Sequence, residues 1–166
     1  EEFMLLANKK VAEKMRKSKE RFVYRVHDQP DQEKLKNLQT VVKRLGYNLK
    51  LSSNELNDSL NSLLKKAFGK NEQNLIDTLM IRSMSKAEYT TKNIGHYGLS
   101  FENYTHFTSP IRRYPDVMVH RLIQAEIDGE KIKTDETETL CKHSTHMEIL
   151  ATKAERAVSY THLRAH

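Results

Sequence analysis

Between residues 32 and 84, apolar side chains return every three or four positions, and glycines interrupt the runs. Leu35, Leu38, Val42 and Leu45 lead to Gly46; Leu56, Leu60, Leu63 and Leu64 lead to Gly69; Leu75, Ile76, Leu79, Met80 and Met84 follow. That spacing matches the helical period with one face turned inward, so helices are expected throughout this stretch. Pro30 and Asp31 suit the entry of the first, and Ser52 with Glu55 has the spacing of a capping box for the second. An opening helix is expected to turn Phe3, Leu6, Ala7, Val11 and Met15 inward. A last one, from 140 to 157, would do so with Leu140, Met147, Leu150, Ala151 and Ala154.

Two places depart from this pattern. Phe22-Val23-Tyr24-Arg25-Val26 is a short strand-like run, and residues 87–91 and 97–107 mix glycine, aromatics and alternation. These read as strands, the latter two joined by a loop, and the class is α+β, helix-dominant. The 166 residues, 37% hydrophobic and 30% charged, allow one domain with a modest core. No apolar run approaches the ~18 residues that span a bilayer, so no membrane partner is expected. The single cysteine, Cys141, excludes an internal disulfide and is expected to be an inert thiol. A cytoplasmic location is expected. The net charge of +6 favours polyanionic partners, although a solvated basic surface is the alternative. The lysine-rich run at 9–21 is read as a solvated helix face, with a weak RNA-facing patch as the alternative.

The chemistry concentrates in Tyr104-Thr105-His106-Phe107-Thr108-Ser109-Pro110-Ile111-Arg112-Arg113-Tyr114-Pro115-Asp116. Ser109-Pro110 resembles a helix N-cap followed by proline at the first helical position, with the helix running to about Asp128 and stopping at Gly129. Unpaired N–H groups and a positive dipole at such an end attract phosphate. Arg112 and Arg113 would add bidentate donors, and Thr105, His106, Thr108 and Ser109 further ones. Tyr97, Phe101, Tyr104 and Phe107 could support or stack on a base. An ordinary cap with a surface arginine pair explains the same residues. Pro115 either kinks this helix after Tyr114 or marks a later true start.

Residues 95–122, Gly-His-Tyr-Gly-Leu-Ser-Phe-Glu-Asn-Tyr-Thr-His-Phe-Thr-Ser-Pro-Ile-Arg-Arg-Tyr-Pro-Asp-Val-Met-Val-His-Arg-Leu, closely resemble the hallmark of the RNB family of exoribonucleases, its RNase R branch best. The opening Glu1-Glu2-Phe3-Met4-Leu5-Leu6-Ala7-Asn8 resembles a helix of the same domain. Tyr24-Arg25-Val26-His27 and Ser83-Met84 fall where that family has similar segments. The resemblance covers residues 1–157 and implies the C-terminal part of an RNB catalytic domain, whose few strands pair with strands upstream of this chain.

That resemblance implies hydrolysis of single-stranded RNA from its 3′ end to nucleoside 5′-monophosphates, assisted by Mg²⁺. The family's Asp-rich metal motif has no counterpart here. Asp28, Asp31, Asp58, Asp77, Asp116, Asp128 and Asp135 stand singly, so the Mg²⁺ ligands are expected upstream and no metal ligand is assigned. Arg112 matches the family's catalytic arginine, and Glu1 or Glu2 an active-site glutamate beside the 3′-terminal nucleotide. Tyr104, His106, Thr108, Ser109 and Arg113 would lie along the RNA channel. Arg121, with His120, belongs to the motif's tail, where pairing with Asp116 is the competing role. No small-molecule organic cofactor is implied. His143 and His146 could form a metal pair, but no carboxylate-rich partner accompanies them, and surface positions explain them better.

Val158 to His166 breaks from the family pattern and resembles translated sequencing-adapter read-through. Residues 158–166 are therefore expected to be a non-native tail. With an opening that lacks methionine, this break leads us to expect a partial chain. The alternative function is a non-catalytic RNA-binding or regulatory module of the same fold.

Overall fold

The computed structural model describes residues 1–18, 21–52, 55–130 and 135–164, with 160–164 as backbone only. The expected basic run at 9–21 therefore lies partly outside the described residues, as does the end of the expected tail. The helices are α1 (Glu2–Lys17), α2 (Gln32–Arg44), α3 (Leu56–Ala67), α4 (Gln73–Ser83), α5 (Tyr114–Asp128) and α6 (Thr137–Arg164). The strands are β1 (Tyr24–His27) and β2 (Ala87–Thr90). The chain divides into two compact units, one of Gln29–Lys86 and one of Glu1–Asp28 with the chain from Ala87 onward. Among the described residues, no helix is long and apolar enough to cross a membrane.

The Gln29–Lys86 unit is the helical stretch read from periodicity. Its core gathers Leu35, Leu38, Val42, Leu60, Leu63 and Ile76 from the three helices, together with Leu49 from a loop. The Asp31 carboxylate caps α2, accepting from the N–H groups of Glu33 at 2.9 Å and Lys34 at 3.2 Å. The Lys34 N–H bond, ahead of other causes, holds that carboxyl below its ordinary pKa. Three expectations need correction. Leu75 is exposed at the start of α4, because Ile76 takes the inward position and neighbouring helical residues point about 100° apart. Leu45 is exposed rather than inward, because it is the C-cap just past α2 and Gly46 turns the chain away at φ +85°. The Ser52–Glu55 capping box does not form: Glu55 is itself the N-cap, its side chain pairs with Lys50 instead of capping the helix, and its N–H donates to the Ser52 carbonyl.

In the other unit, β1 and β2 pair antiparallel, Tyr24 opposite Thr90 and His27 opposite Ala87. Both strands find their neighbour within the chain, and their outer edges are covered as well. The N–H groups of Arg25 and His27 donate to the carbonyls of Tyr104 and Gly95 at 3.0 Å. On the far side the Tyr89 N–H donates to the Thr145 hydroxyl at 2.9 Å, and the Thr91 N–H to the Glu138 carboxylate at 2.7 Å. Covered edges remove the unpaired groups that recruit foreign strands. The core beneath joins Phe22, Val23 and Val26 to Ala12, Val119 and Cys141.

Here too the structure redraws three expectations. The buried face of α1 carries Asn8, Ala12 and Met15, while Phe3 is 86% exposed and Leu6 is exposed too. The stripe is displaced because Asn8 has polar partners inside, described below. Residues 97–107 are not a strand: Tyr97–Leu99 form a 3₁₀ turn, and Ser100 takes the left-handed conformation at φ +55°. Gly98 permits this turn, since its N–H donates to His27 Nδ1 at 2.9 Å and a Cβ there would meet that atom at 3.0 Å. Finally, α6 buries Thr137 and Cys141 rather than Met147, Leu150, Ala151 and Ala154, and it continues through the expected boundary at 157 to Arg164.

Burial pushes the Cys141 thiol up to about 12. It should be inert to a water-soluble disulfide reagent at pH 8 in the native chain and react stoichiometrically once denatured. Rapid native labelling would contradict this packing.

Candidate phosphate-binding loop

The helix expected from Ser109 begins five residues later. Arg113 is the N-cap of α5, and Pro115 lies in its first turn, where the missing N–H costs no helical bond. Pro115 thus marks a later start, not a kink. Residues 109–113 instead form a loop, closed by a bond from the Arg113 N–H to the Ser109 carbonyl at 3.1 Å.

Asp116 organises this loop. It is 0% exposed, and one carboxylate oxygen accepts from both the Ser109 N–H and Arg113 Nη2, each at 2.8 Å. The anion drawn to the Ser109 N–H is therefore internal. It follows that the two adjacent arginines differ. Arg113 is fastened to Asp116, with most of its side chain covered. Arg112 is exposed and makes no ion pair among the described residues. Beside it, Ile111 is fully exposed. A free guanidinium on a braced loop can bind an oxyanion bidentately at little ordering cost.

The loop rests on a polar wall. Asn8, 4% exposed, donates to the Tyr104 hydroxyl at 3.1 Å and accepts from the Phe107 N–H at 2.9 Å, tying α1 to the segment before the loop. The Thr105 hydroxyl donates to the Val23 carbonyl at 2.7 Å. His106 Nδ1 and the Tyr89 hydroxyl share a bond of 2.8 Å. The Arg25 guanidinium lies 4.5 Å from the centre of the Tyr89 ring and binds both oxygens of Glu148, at 2.7 and 3.0 Å. Burial, then the charges of Arg113 and Arg25, push His106 down to about 3. Burial raises Tyr89 to about 12. The wall is thus neutral at its centre, and both groups keep their ordinary uncharged forms at pH 7.

Of the other residues expected to contribute, Tyr104 is buried against Asn8, His96, Phe101 and His106, so its ring supports and does not face solvent. Thr108 and Ser109 are half-buried on the approach to the loop. His120 does not pair with Asp116. It bonds to the Phe107 carbonyl at 2.9 Å and stacks on that ring at 4.2 Å, while Arg121 is exposed. Glu1 and Glu2 are exposed at the start of α1. The rise per residue places Glu1 roughly 10 Å along the helix from the Asn8 contact.

A cleft of about 630 Å³ opens between Arg112 to Pro115 and one face of α6, and Tyr89 also lines it. No group of three or more His, Cys, Asp or Glu side chains among the described residues could hold a metal ion. The residues present therefore do not fit the Mg²⁺ that the resemblance implies, and His143 and His146 find no third ligand. Sequence reading missed Asn8, Arg25, Tyr89 and Glu148, which join the wall from distant places. The one available signal was a polar asparagine beside an apolar helix stripe.

The RNB domain pattern matches residues 1–129. Ribonuclease R of Aquifex aeolicus is 38% identical over 169 residues, covering 99% of this chain and 24% of that protein. The structure of Mycoplasma genitalium RNase R in complex with ribose methylated single-stranded RNA matches with a TM-score of 0.84 at 28% identity, over 95% of this chain and 26% of that one. Yeast Ssd1, a pseudonuclease, matches with a TM-score of 0.71 at 28% identity, over 87% of this chain and 19% of its own. The chain spans about a seventh to a quarter of the length of the curated relatives it matches.

Two outcomes follow from this geometry. Removing one partner of a buried pair strands the other, so Asp116→Ala should destabilise the chain by about 3 kcal/mol, the lower end of the usual range because Arg113 keeps some water access. Denaturant melts should show a smaller loss for the Arg113→Met, Asp116→Leu double variant than for Asp116→Ala. The second outcome concerns pH. His106 is depressed from 6.5 to about 3, so the unfolded chain binds the extra proton between those values. Its stabilising contribution is complete above pH 6.5 and is lost as pH falls. His96, pushed down to about 4 first by burial, acts in the same direction. Melting midpoints should drop from pH 6.5 towards 4, less steeply in His106→Gln; an equal slope in both would refute the buried neutral ring.

Proposed function

The chain belongs to the RNB domain family, and from that premise we propose that it is part of a 3′→5′ hydrolytic exoribonuclease acting on single-stranded RNA in the cytoplasm. It would release nucleoside 5′-monophosphates, with this chain contributing the phosphate-gripping half of the active site. The observation that carries this reading is Arg112, an exposed guanidinium with no ion pair among the described residues, on a loop braced by Asp116.

Arg112 binds the scissile or adjacent phosphate and offsets the negative charge that develops there. Thr108 and Ser109 lie on the approach, and Arg121 adds a positive charge along α5. Tyr104 and His106 act from behind, holding the wall. Arg113 acts through Asp116 as a positioning residue and not as a phosphate ligand. Glu1 or Glu2 stands near the 3′-terminal nucleotide. The Mg²⁺ that assists hydrolysis is held by residues upstream, so no catalytic step is assigned to it here.

A second reading is a non-catalytic RNA-binding module. The likeness to a pseudonuclease favours it. Both readings share the phosphate grip and differ in turnover.

In the full-length protein, Arg112→Ala should lower mononucleotide release on the order of 10²- to 10³-fold while RNA is still bound. Near-normal turnover would defeat the catalytic assignment, and a wild-type protein without turnover would favour the second reading. For the 166-residue chain, single-stranded RNA binding should weaken with salt. Arg112→Gln should reduce the slope of log K against log salt by about 0.7, the loss of one phosphate contact. Arg113→Gln should lower the melting temperature and leave that slope unchanged.

A further inference from the structure

Tyr89 is buried, and its hydroxyl ends on a histidine that is only partly covered. The strand register brings the group together. Arg25 and Tyr89 stand opposite each other on β1 and β2, and the Arg25 N–H turns away from β2 to the Tyr104 carbonyl. Theirs is therefore a non-hydrogen-bonded pair, the kind whose side chains lie closest. The same bond lays residues 104–106 beside β1. His106 there meets the Tyr89 ring edge-on at 5.6 Å between ring centres, and the Tyr104 ring at 5.7 Å.

One proton occupies the 2.8 Å bond between the Tyr89 hydroxyl and His106 Nδ1. It comes either from the phenol or from the imidazole. Two features assign it to the phenol. The Tyr89 hydroxyl has no other acceptor among the described residues, so a proton turned elsewhere would go unused. The Arg25 guanidinium also draws electron density from the ring 4.5 Å below it, which strengthens the O–H as a donor and weakens the oxygen as an acceptor. Glu148 fixes Arg25 in that position with two bonds. A neutral imidazole that accepts at Nδ1 carries its own proton on Nε2. His106 Nε2 makes no hydrogen bond among the described residues and is not sealed from water.

We propose that Tyr89 is a positioning residue: by donating to Nδ1 it keeps the His106 proton on Nε2, and that N–H donates to a phosphate oxygen of the strand that Arg112 grips. The proposal rests on the phosphate role of Arg112 given above. His106 holds the wall with one nitrogen and offers the other outward. Glu148 and Arg25 act one step further back, through the Tyr89 ring. Arg112 supplies charge, and the imidazole supplies a direction without adding any.

The test uses the 166-residue chain with ¹⁵N-labelled histidine at pH 7. Two-bond proton–nitrogen correlations should place the His106 proton on Nε2 in the wild type. Tyr89→Phe, which loses only the hydroxyl, should show a mixture of tautomers. Single-stranded RNA should bind Tyr89→Phe about three- to tenfold more weakly, the worth of one hydrogen bond. The salt slope should not change, because no charge is lost. His106→Gln, whose amide N–H reaches the place of Nε2, should keep most of the affinity and be indifferent to Tyr89→Phe. His106→Asn, whose amide reaches only the place of Nδ1, should lose it. A His106 proton on Nδ1 in the wild type overturns the proposal, and so does equal RNA affinity in wild type and Tyr89→Phe. If Tyr89→Phe does not melt cooperatively, His106→Gln binding no better than His106→Asn overturns it instead. Arg112→Gln should weaken RNA and leave the tautomer unchanged. If it leaves RNA binding intact while Tyr89→Phe still weakens it, the His106 donor stands and the phosphate role of Arg112 fails.

Discussion

A carboxylate without access to water must find donors, and Asp116 finds two of them in the five residues before α5. The Ser109 N–H and the Arg113 guanidinium converge on one of its oxygens, and the loop takes its shape from that convergence. Arg113 is used up in the process. Arg112, one residue earlier, is left outside with its charge unspent. The division of labour in an Arg-Arg pair thus comes from a third residue, not from any difference between the arginines. The second Asp116 oxygen and Arg113 Nε have no partner among the described residues, so the pair is held by one strong bond instead of a full fork.

Behind the loop, the other ionisable groups near Arg112 are kept neutral or already paired. His106 sits close enough to Arg113 and Arg112 to feel both, and its burial keeps it neutral. Arg25 has its own carboxylate in Glu148 and a ring beneath it in Tyr89. The positive field at the loop therefore belongs to one exposed side chain. Asn8 extends the same bracing to α1, since both ends of its amide are engaged with the segment before the loop.

Periodicity made the Gln29–Lys86 unit legible, because those helices bury ordinary apolar stripes against each other. The Asp31 cap could be read locally for the same reason: its partners are two and three residues away. The motif singled out Arg112 as a candidate, but did not show that Asp116 would take Arg113 and leave Arg112 exposed. The start of α5 was not, because Ser109-Pro110 satisfies every local rule for a helix entry and loses to a carboxylate seven residues on. The inward face of α1 was misjudged for a parallel reason. An asparagine belongs inside only when donors and acceptors await it, and these come from Tyr104 and Phe107, nearly a hundred residues away. Pairings such as Arg25 with Glu148 leave no trace in local pattern at all.

Helix α6 serves two surfaces at once. Glu138, Cys141 and Thr145 close the outer edge of β2 and the core, while Leu140, Ser144, Met147 and Ala151 border the cleft. Leu140 and Glu148 belong to both sets: Leu140 also packs against the core, and Glu148 lines the cleft while anchoring Arg25. Ser144, Met147 and Ala151 make none of the bonds that close the edge of β2. The lining of the cleft can therefore be rewritten on one side of the helix while the other side keeps the sheet standing.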